Sequence, residues 1–208
     1  MTSPFEDFKN YIPKYLNTTA QQKLFDELKQ FPHNIDGRIY SQALLAEQNV
    51  FQGDGLNGLW VTNLPDPRID KARVMVLSNT CDISPQNRRF LPPNIFYCPV
   101  VSLAKYHGLL KGNLTGFSDA QIDSHINSIR AQEVSSLFFL PSNAKLGEDC
   151  IALLDRINNC DSRACDIADL LNNRLFTLSN YGFYLFLYKL SVHFSRLRES
   201  LDRNPQLN

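Results

Sequence analysis

Apolar positions recur three and four apart at Leu24, Phe25, Leu28 and Phe31 behind Thr18 or Thr19 as N-cap, a spacing that predicts a helix closed by Phe31 and Pro32. Upstream, Ser3, Pro4 and Glu6 have the form of a capping box and start another helix at Pro4, which Pro13 interrupts. After a turn at Asn34, Ile35, Asp36 and Gly37, the texture changes. Short runs rich in Val, Ile, Trp, Phe and Tyr at 58–64, 73–77 and 95–101, bounded by Gly, Pro, Asn and Asp, predict strands. Ser118 and Gln121 frame a second capping box, for a helix to about 133, and the runs 136–140 and 151–154 read as further strands. A short helix at 166–172 and a long one from 181 to about 201 complete the pattern. There is no internal repeat, low-complexity tract or flexible linker. The pattern is a single α+β domain over 1–208, with a helical segment at 1–35, a β-rich core with inserted helices at 36–180 and an amphipathic helix at 181–208.

Composition narrows the class. Of 208 residues 43% are hydrophobic and 20% charged, with 21 Lys and Arg against 21 Asp and Glu, which excludes both a disordered chain and a strongly basic nucleic-acid coat while leaving room for a local basic site. The densest apolar run, 181–190, contains Lys189 and is too short to span a bilayer. The N-terminus carries Glu6 and Asp7 where a signal peptide needs a basic and then an apolar segment. Five cysteines without framework spacing predict reduced thiols, and together these features predict a soluble cytoplasmic protein without membrane contact.

Candidate chemistry concentrates where the strand at 73–77 runs into a polar loop carrying Ser78, Asn79, Thr80, Cys81 and Asp82. Asn79 and Asp82 serve either as turn formers or as site residues; Cys81 is a nucleophile only if a base reaches it, with His107, His125 and His193 distant in sequence. Arg88 and Arg89 add charge in the following loop. On the last helix, Phe183, Phe186, Leu187, Leu190, Phe194, Leu197 and Leu201 fall in one sector and Lys189, His193, Arg196 and Arg203 in another, a stripe suited to a phosphate backbone, an acidic partner or plain solvent. Cys160 and Cys165 lie five apart with no second pair, which argues against a zinc site and for buried thiols; no metal and no cofactor is expected. The glycines at 53, 55 and 58 precede a strand rather than a helix and make no nucleotide fingerprint.

The order Gly53 and Asp54, a strand through Leu59, Trp60, Val61 and Leu64, a Pro/Asp loop, then Arg73 to Asn79 and Tyr97 to Ser102 resembles that of PemK/MazF-like proteins, over residues 53–102. The resemblance implies a compact SH3-like β-barrel or strongly bent sheet, with Trp60 at least half buried in its wall. It also implies metal-independent RNA cleavage by one member of a bacterial toxin–antitoxin or defence pair, working as a homodimer or with a protein partner. Arg73 takes the place of the family's catalytic Arg and Ser102 that of the Thr or Ser ending the next strand; Val74 stands where the family has Pro. The residue chemistry is compatible, since such cleavage needs a base, an acid and a planar cation over the phosphate. Two other classes compete: a non-enzymatic interaction or regulatory module on the same scaffold, and a thiol-dependent enzyme built on Cys81.

Overall fold

The computed structural model describes residues 16–84, 86–87 and 90–195. The expected first helix and the side chains of Arg88, Arg89, Arg196 and Arg203 lie outside the described residues. Helix α1 (Thr18–Lys29) is capped by Asn17, whose side chain accepts from the Ala20 N–H, one residue ahead of the expected threonines. Strands β1 (Gly55–Asn63) and β2 (Asp66–Val76) form a hairpin; one turn of helix, α2 (Thr80–Ile83), leads on to β3 (Asn94–Ser102). Helices α3 (Leu103–Asn113) and α4 (Asp119–Arg130) follow, the latter with its expected capping box between Ser118 and Gln121. Then come β4 (Leu137–Leu140), β5 (Cys150–Leu153), β6 (Asn158–Asp161), α5 (Ile167–Asn172), β7 (Arg174–Phe176) and α6 (Asn180–Ser195). Among the described residues no helix is long and apolar enough to cross a membrane.

The strands make one antiparallel, unclosed seven-stranded sheet in the order β4-β5-β3-β2-β1-β7, with β6 beside β3. Strand β3 organises it: Ser102 faces Cys150 of β5 and Tyr97 faces Asn158 of β6, so β5 and β6 run end to end along one edge of β3. Alternate residues feed different cores. Met75, Cys98, Phe138, Leu140, Cys150 and Ala152 pack under α1 and α6. On the opposite face Leu137, Phe139, Ile151 and Leu153 pack against Leu103 of α3 and Ile126 and Ile129 of α4, while Val74, Val76, Ile95 and Tyr97 pack against Ile83 and Leu170. Burial on both faces is why these strands read as continuous apolar runs.

The sheet also curls. The Tyr97 hydroxyl on β3 donates to the Trp60 carbonyl on β1 at 2.6 Å, and the Thr62 N–H on β1 donates to Asn158 Oδ1 on β6 at 2.8 Å. With about 4.8 Å between neighbouring strands, a flat sheet would hold these partners well out of reach. The hairpin therefore bends over the core of Leu56, Leu59, Val74, Val76 and Tyr97. Trp60 does not join that core, contrary to expectation: it is 57% exposed. The cause is a register shift between Asn57 and Leu59, where Gly58 adopts a φ of +99°. Strict alternation from the buried Leu56 would turn Trp60 inward; the bulge turns Leu59 and Val61 inward instead and sends Trp60 to the outer face.

Asp54 and Arg174 hold the sheet to the long segment before it. Both are at most 1% exposed, with Arg174 Nε 3.2 Å from Asp54 Oδ2. Arg174 Nη1 donates to the carbonyls of Leu44 and Glu47, at 2.8 and 3.2 Å, Nη2 donates to that of Asn49, and the guanidinium lies over the Phe51 ring. Asp54 accepts from the Phe51 N–H at 2.9 Å. Burial nevertheless pushes its carboxyl up to about 6, against the pull of Phe51, Thr177 and Arg174. Removing one partner of such a pair leaves a charge buried alone. Asp54→Ala is therefore expected to lower the unfolding free energy by about 3–5 kcal/mol in urea titrations, and a loss below about 1 kcal/mol would show that the pair does not anchor the fold.

Candidate functional site

Arg73 and Ser102 come from different strands and reach the same carboxylate. On β2, Arg73 shares the face of Met75; on β3, Ser102 shares the face of Cys98 and Val100, and the two strands are paired. Arg73 Nη2 lies 3.0 Å from Glu148 Oε1, and the Ser102 hydroxyl donates to Glu148 Oε2 at 2.5 Å. Arg73 Nη1 also donates to the Leu146 carbonyl. The neighbouring Asp149 is otherwise engaged, by Arg130 at 2.6 Å and by the Ser142 N–H at 3.0 Å. The Ser102 hydroxyl holds the Glu148 carboxyl below its ordinary range, with Arg73 next in effect and the charge of Lys105 contributing. Glu148 is thus ionised at neutral pH, with 39% of its side chain exposed against 26% for Arg73, while Ser102 is buried and also caps α3.

Glu148 carried no motif in the sequence. Its only signal was a carboxylate pair, Glu148 and Asp149, placed between the turn glycine Gly147 (φ +73°) and an apolar strand. The surface extends past Arg73 along the outer face of the hairpin: Lys71 pairs with Trp60 across the strands, and its ammonium lies 5.3 Å from the centre of the indole. An exposed indole with a cation over it, two positions along the strand from an arginine, is a combination that accepts stacked bases and phosphates.

The 78–82 loop is built mainly as a turn. Ser78 Oγ accepts from the Phe96 N–H at 2.7 Å, Asn79 Oδ1 accepts from the Cys81 N–H at 2.9 Å as the cap of α2, and Thr80 Oγ1 accepts from the Gln52 N–H at 3.0 Å. Asn87 donates to the Cys81 carbonyl. Cys81 is exposed at a cleft of about 200 Å³ that Phe51, Thr80 and Ile83 also line. Among the described residues no histidine hydrogen-bonds its sulfur: His107 pairs with Asp123 and His125 with Tyr106, both on the α3–α4 side. Asp82 stands in the first turn of α2. Among the described residues, no hydrogen bond or ion pair joins Cys81 or Asn79 to Arg73 or Ser102.

Of the cationic stripe expected on α6, Lys189 and His193 are described, and Lys189 does not lie at the surface. Lys189 is 6% exposed, and its ammonium donates to the backbone carbonyl of Gln132. Gln132, at a left-handed φ of 61° just past α4, spends its side chain on the β4 edge, donating to the Phe139 carbonyl at 2.8 Å and accepting from the Phe139 N–H at 3.1 Å. Its own carbonyl is thereby left inside with no strand partner, and Lys189 answers it. His193 is half-buried, and Phe194, expected on the buried face, is 57% exposed beside the exposed Val192. Phe186 of the expected apolar sector is fully buried and Phe183 and Leu190 pack against the same core, but the buried face also takes in Tyr181, Leu185 and Lys189.

Burial lowers Lys189 to about 8. Because the unfolded chain holds that proton up to about 10.4, the unfolded state binds more protons across the interval and stability rises with pH from about 8 to about 10.4. Lys189→Met should flatten that rise in denaturation profiles measured from pH 7 to 10, and an unchanged profile would place Lys189 in solvent. No family model matches this chain, and no curated protein matches it.

Proposed function

We propose that this chain binds RNA and cleaves it without a metal ion, at Arg73, Glu148 and Ser102, on a curled sheet of SH3-like type. One observation carries the reading: the two residues singled out by the PemK/MazF-like resemblance bond one carboxylate from two different strands. The chemistry follows from the exchange of partners. A phosphodiester approaching this face competes with Glu148 for Arg73, whose planar fork binds two phosphate oxygens. Glu148, released from its cation, becomes a stronger base and takes the proton of the ribose 2′-hydroxyl. The 2′-oxygen then attacks phosphorus, Arg73 stabilises the charge gathering on the phosphoryl oxygens, and the bond to the 5′-oxygen breaks as that oxygen takes a proton from water. Ser102, buried and bonded to Oε2, fixes the carboxylate's orientation. Trp60 and Lys71 supply a platform for the neighbouring base and phosphate.

A place in a bacterial toxin–antitoxin or defence pair belongs to the same proposal, with the partner or a second copy covering the hairpin. A second reading, the non-enzymatic interaction module, is favoured by that hairpin itself: Leu64 is 80%, Ile69 60% and Trp60 57% exposed, a concentration of apolar surface suited to a protein partner.

Incubation of the protein with labelled RNA and single-stranded DNA in EDTA separates the two. The expected outcome is cleavage of RNA alone, reduced about 10²–10³-fold in Arg73→Ala and abolished in Glu148→Gln. Binding without cleavage, with a salt slope lowered by about one in Arg73→Ala, leaves RNA as a ligand. Neither binding nor cleavage by the wild type transfers the function to the interaction module.

A further inference from the structure

Two cysteines that the sequence spacing set aside are brought together by the fold. Cys160 lies on β6, opposite Ile95 of β3, and Cys165 follows a single 3-10 turn (Ser162–Ala164). Their sulfurs are 3.0 Å apart, both thiols free and both only partly buried. Spacing of five along one helix would have pointed them apart; the chain instead reverses between them, and the reversal is tied down. The Ser162 N–H donates to the Pro93 carbonyl at 3.1 Å and the Cys165 N–H to that of Ser162 at 3.3 Å. Asp161 caps the turn through the Arg163 N–H and pairs with the Arg163 guanidinium at 2.7 Å. Asp166 then caps α5. Both cysteines pack at the margin of the core that the hairpin curls over.

We propose that Cys160 and Cys165 are a peroxide-responsive dithiol, in which Cys160 is the attacking sulfur and Cys165 resolves it to an intramolecular disulfide. The Cys160 thiolate attacks one oxygen of hydrogen peroxide, the O–O bond breaks, and hydroxide leaves and is protonated to water, giving a sulfenic acid on Cys160. Cys165 gives up its proton and its sulfur attacks Cys160, expelling the sulfenic oxygen as a second water. Two thiols lose two electrons and one peroxide becomes two waters. The sulfurs need to approach by only about 1 Å to reach bonding distance.

The electrostatics support this division of labour. A hydrogen bond from the neighbouring thiol of Cys165 lowers Cys160, while the same contact and burial raise Cys165. This site is independent of the RNA-cleaving reading and stands or falls by itself.

The test uses the full chain, with hydrogen peroxide as the probe. Trypsin cuts after Arg156, Arg163 and Arg174, so Cys160 and Cys165 fall in separate peptides, 157–163 and 164–174. After peroxide treatment and alkylation of the remaining thiols, non-reducing mass spectrometry should find these two peptides joined, at lower peroxide than modifies Cys81. Cys165→Ser should stop at a Cys160 sulfenic acid trapped by a 1,3-dione, and Cys160→Ser should leave Cys165 unmodified at the same dose. Full alkylation of both peptides while Cys81 oxidises, or a bond from Cys160 to any other cysteine, overturns the proposal; the wild-type peptide map decides it even if a variant fails to fold.

Discussion

A guanidinium with almost no exposed surface must find its acceptors inside the protein, and Arg174 finds them in the segment that precedes the sheet. It gathers the carbonyls of Leu44, Glu47 and Asn49 and faces Asp54. That segment has no regular secondary structure to satisfy its own carbonyls, and the arginine does so in place of a strand. The consequence propagates in both directions along the chain. Asp54 is held where its carbonyl accepts from Val76, while Gly53 donates to the same residue, so the β1–β2 ladder begins in register. Arg174 opens β7, which closes the far edge of the sheet against β1 and delivers the chain into α6. There Gly182 admits the Ile39 carbonyl: a Cβ at that position would come within 2.2 Å of it.

With β1 anchored at that end, its other end is free to bend, and the bend makes the candidate site. The bulge at Gly58 fills the concave side with Leu59 and Val61 and places Trp60 with Lys71 outside, on the face that also carries Arg73. Across β2 and β3 the same face ends in Ser102, and the turn before β5 brings Glu148 onto it. A resting ion pair between Arg73 and a half-exposed Glu148 is consistent with exchange by an incoming anion, because solvent already reaches both groups.

Elements held by local chemistry were legible in the sequence. The Ser118 and Gln121 capping box, the helix around Leu24 and Leu28, the short helix at 166–172 and the apolar strands from β1 to β5 depend on short-range propensity or on burial that the residue types announce. The polar strand β6 and the three-residue β7 were not legible, since each is a strand only because of its neighbour. Helix α3 was hidden by Gly108 and Gly112, which weaken a helix that Ser102 and the β4–β5 edge hold in place. At the site, Arg73 and Ser102 were visible, but the carboxylate joining them was not, because Glu148 reaches them from 75 and 46 residues away. Lys189 misled for the converse reason: its charge suggested solvent, while a distant carbonyl required a donor.

Under the function proposed above, one face of the curled sheet receives RNA at Arg73, Glu148 and Ser102. Nuclear magnetic resonance titration of the labelled protein with a short single-stranded RNA tests it most directly. If it does, the Trp60 indole and the backbone amides of Lys71, Arg73, Ser102 and Glu148 shift together along a single binding curve. Shifts confined to other surfaces, or none in this set at saturating RNA, would contradict it.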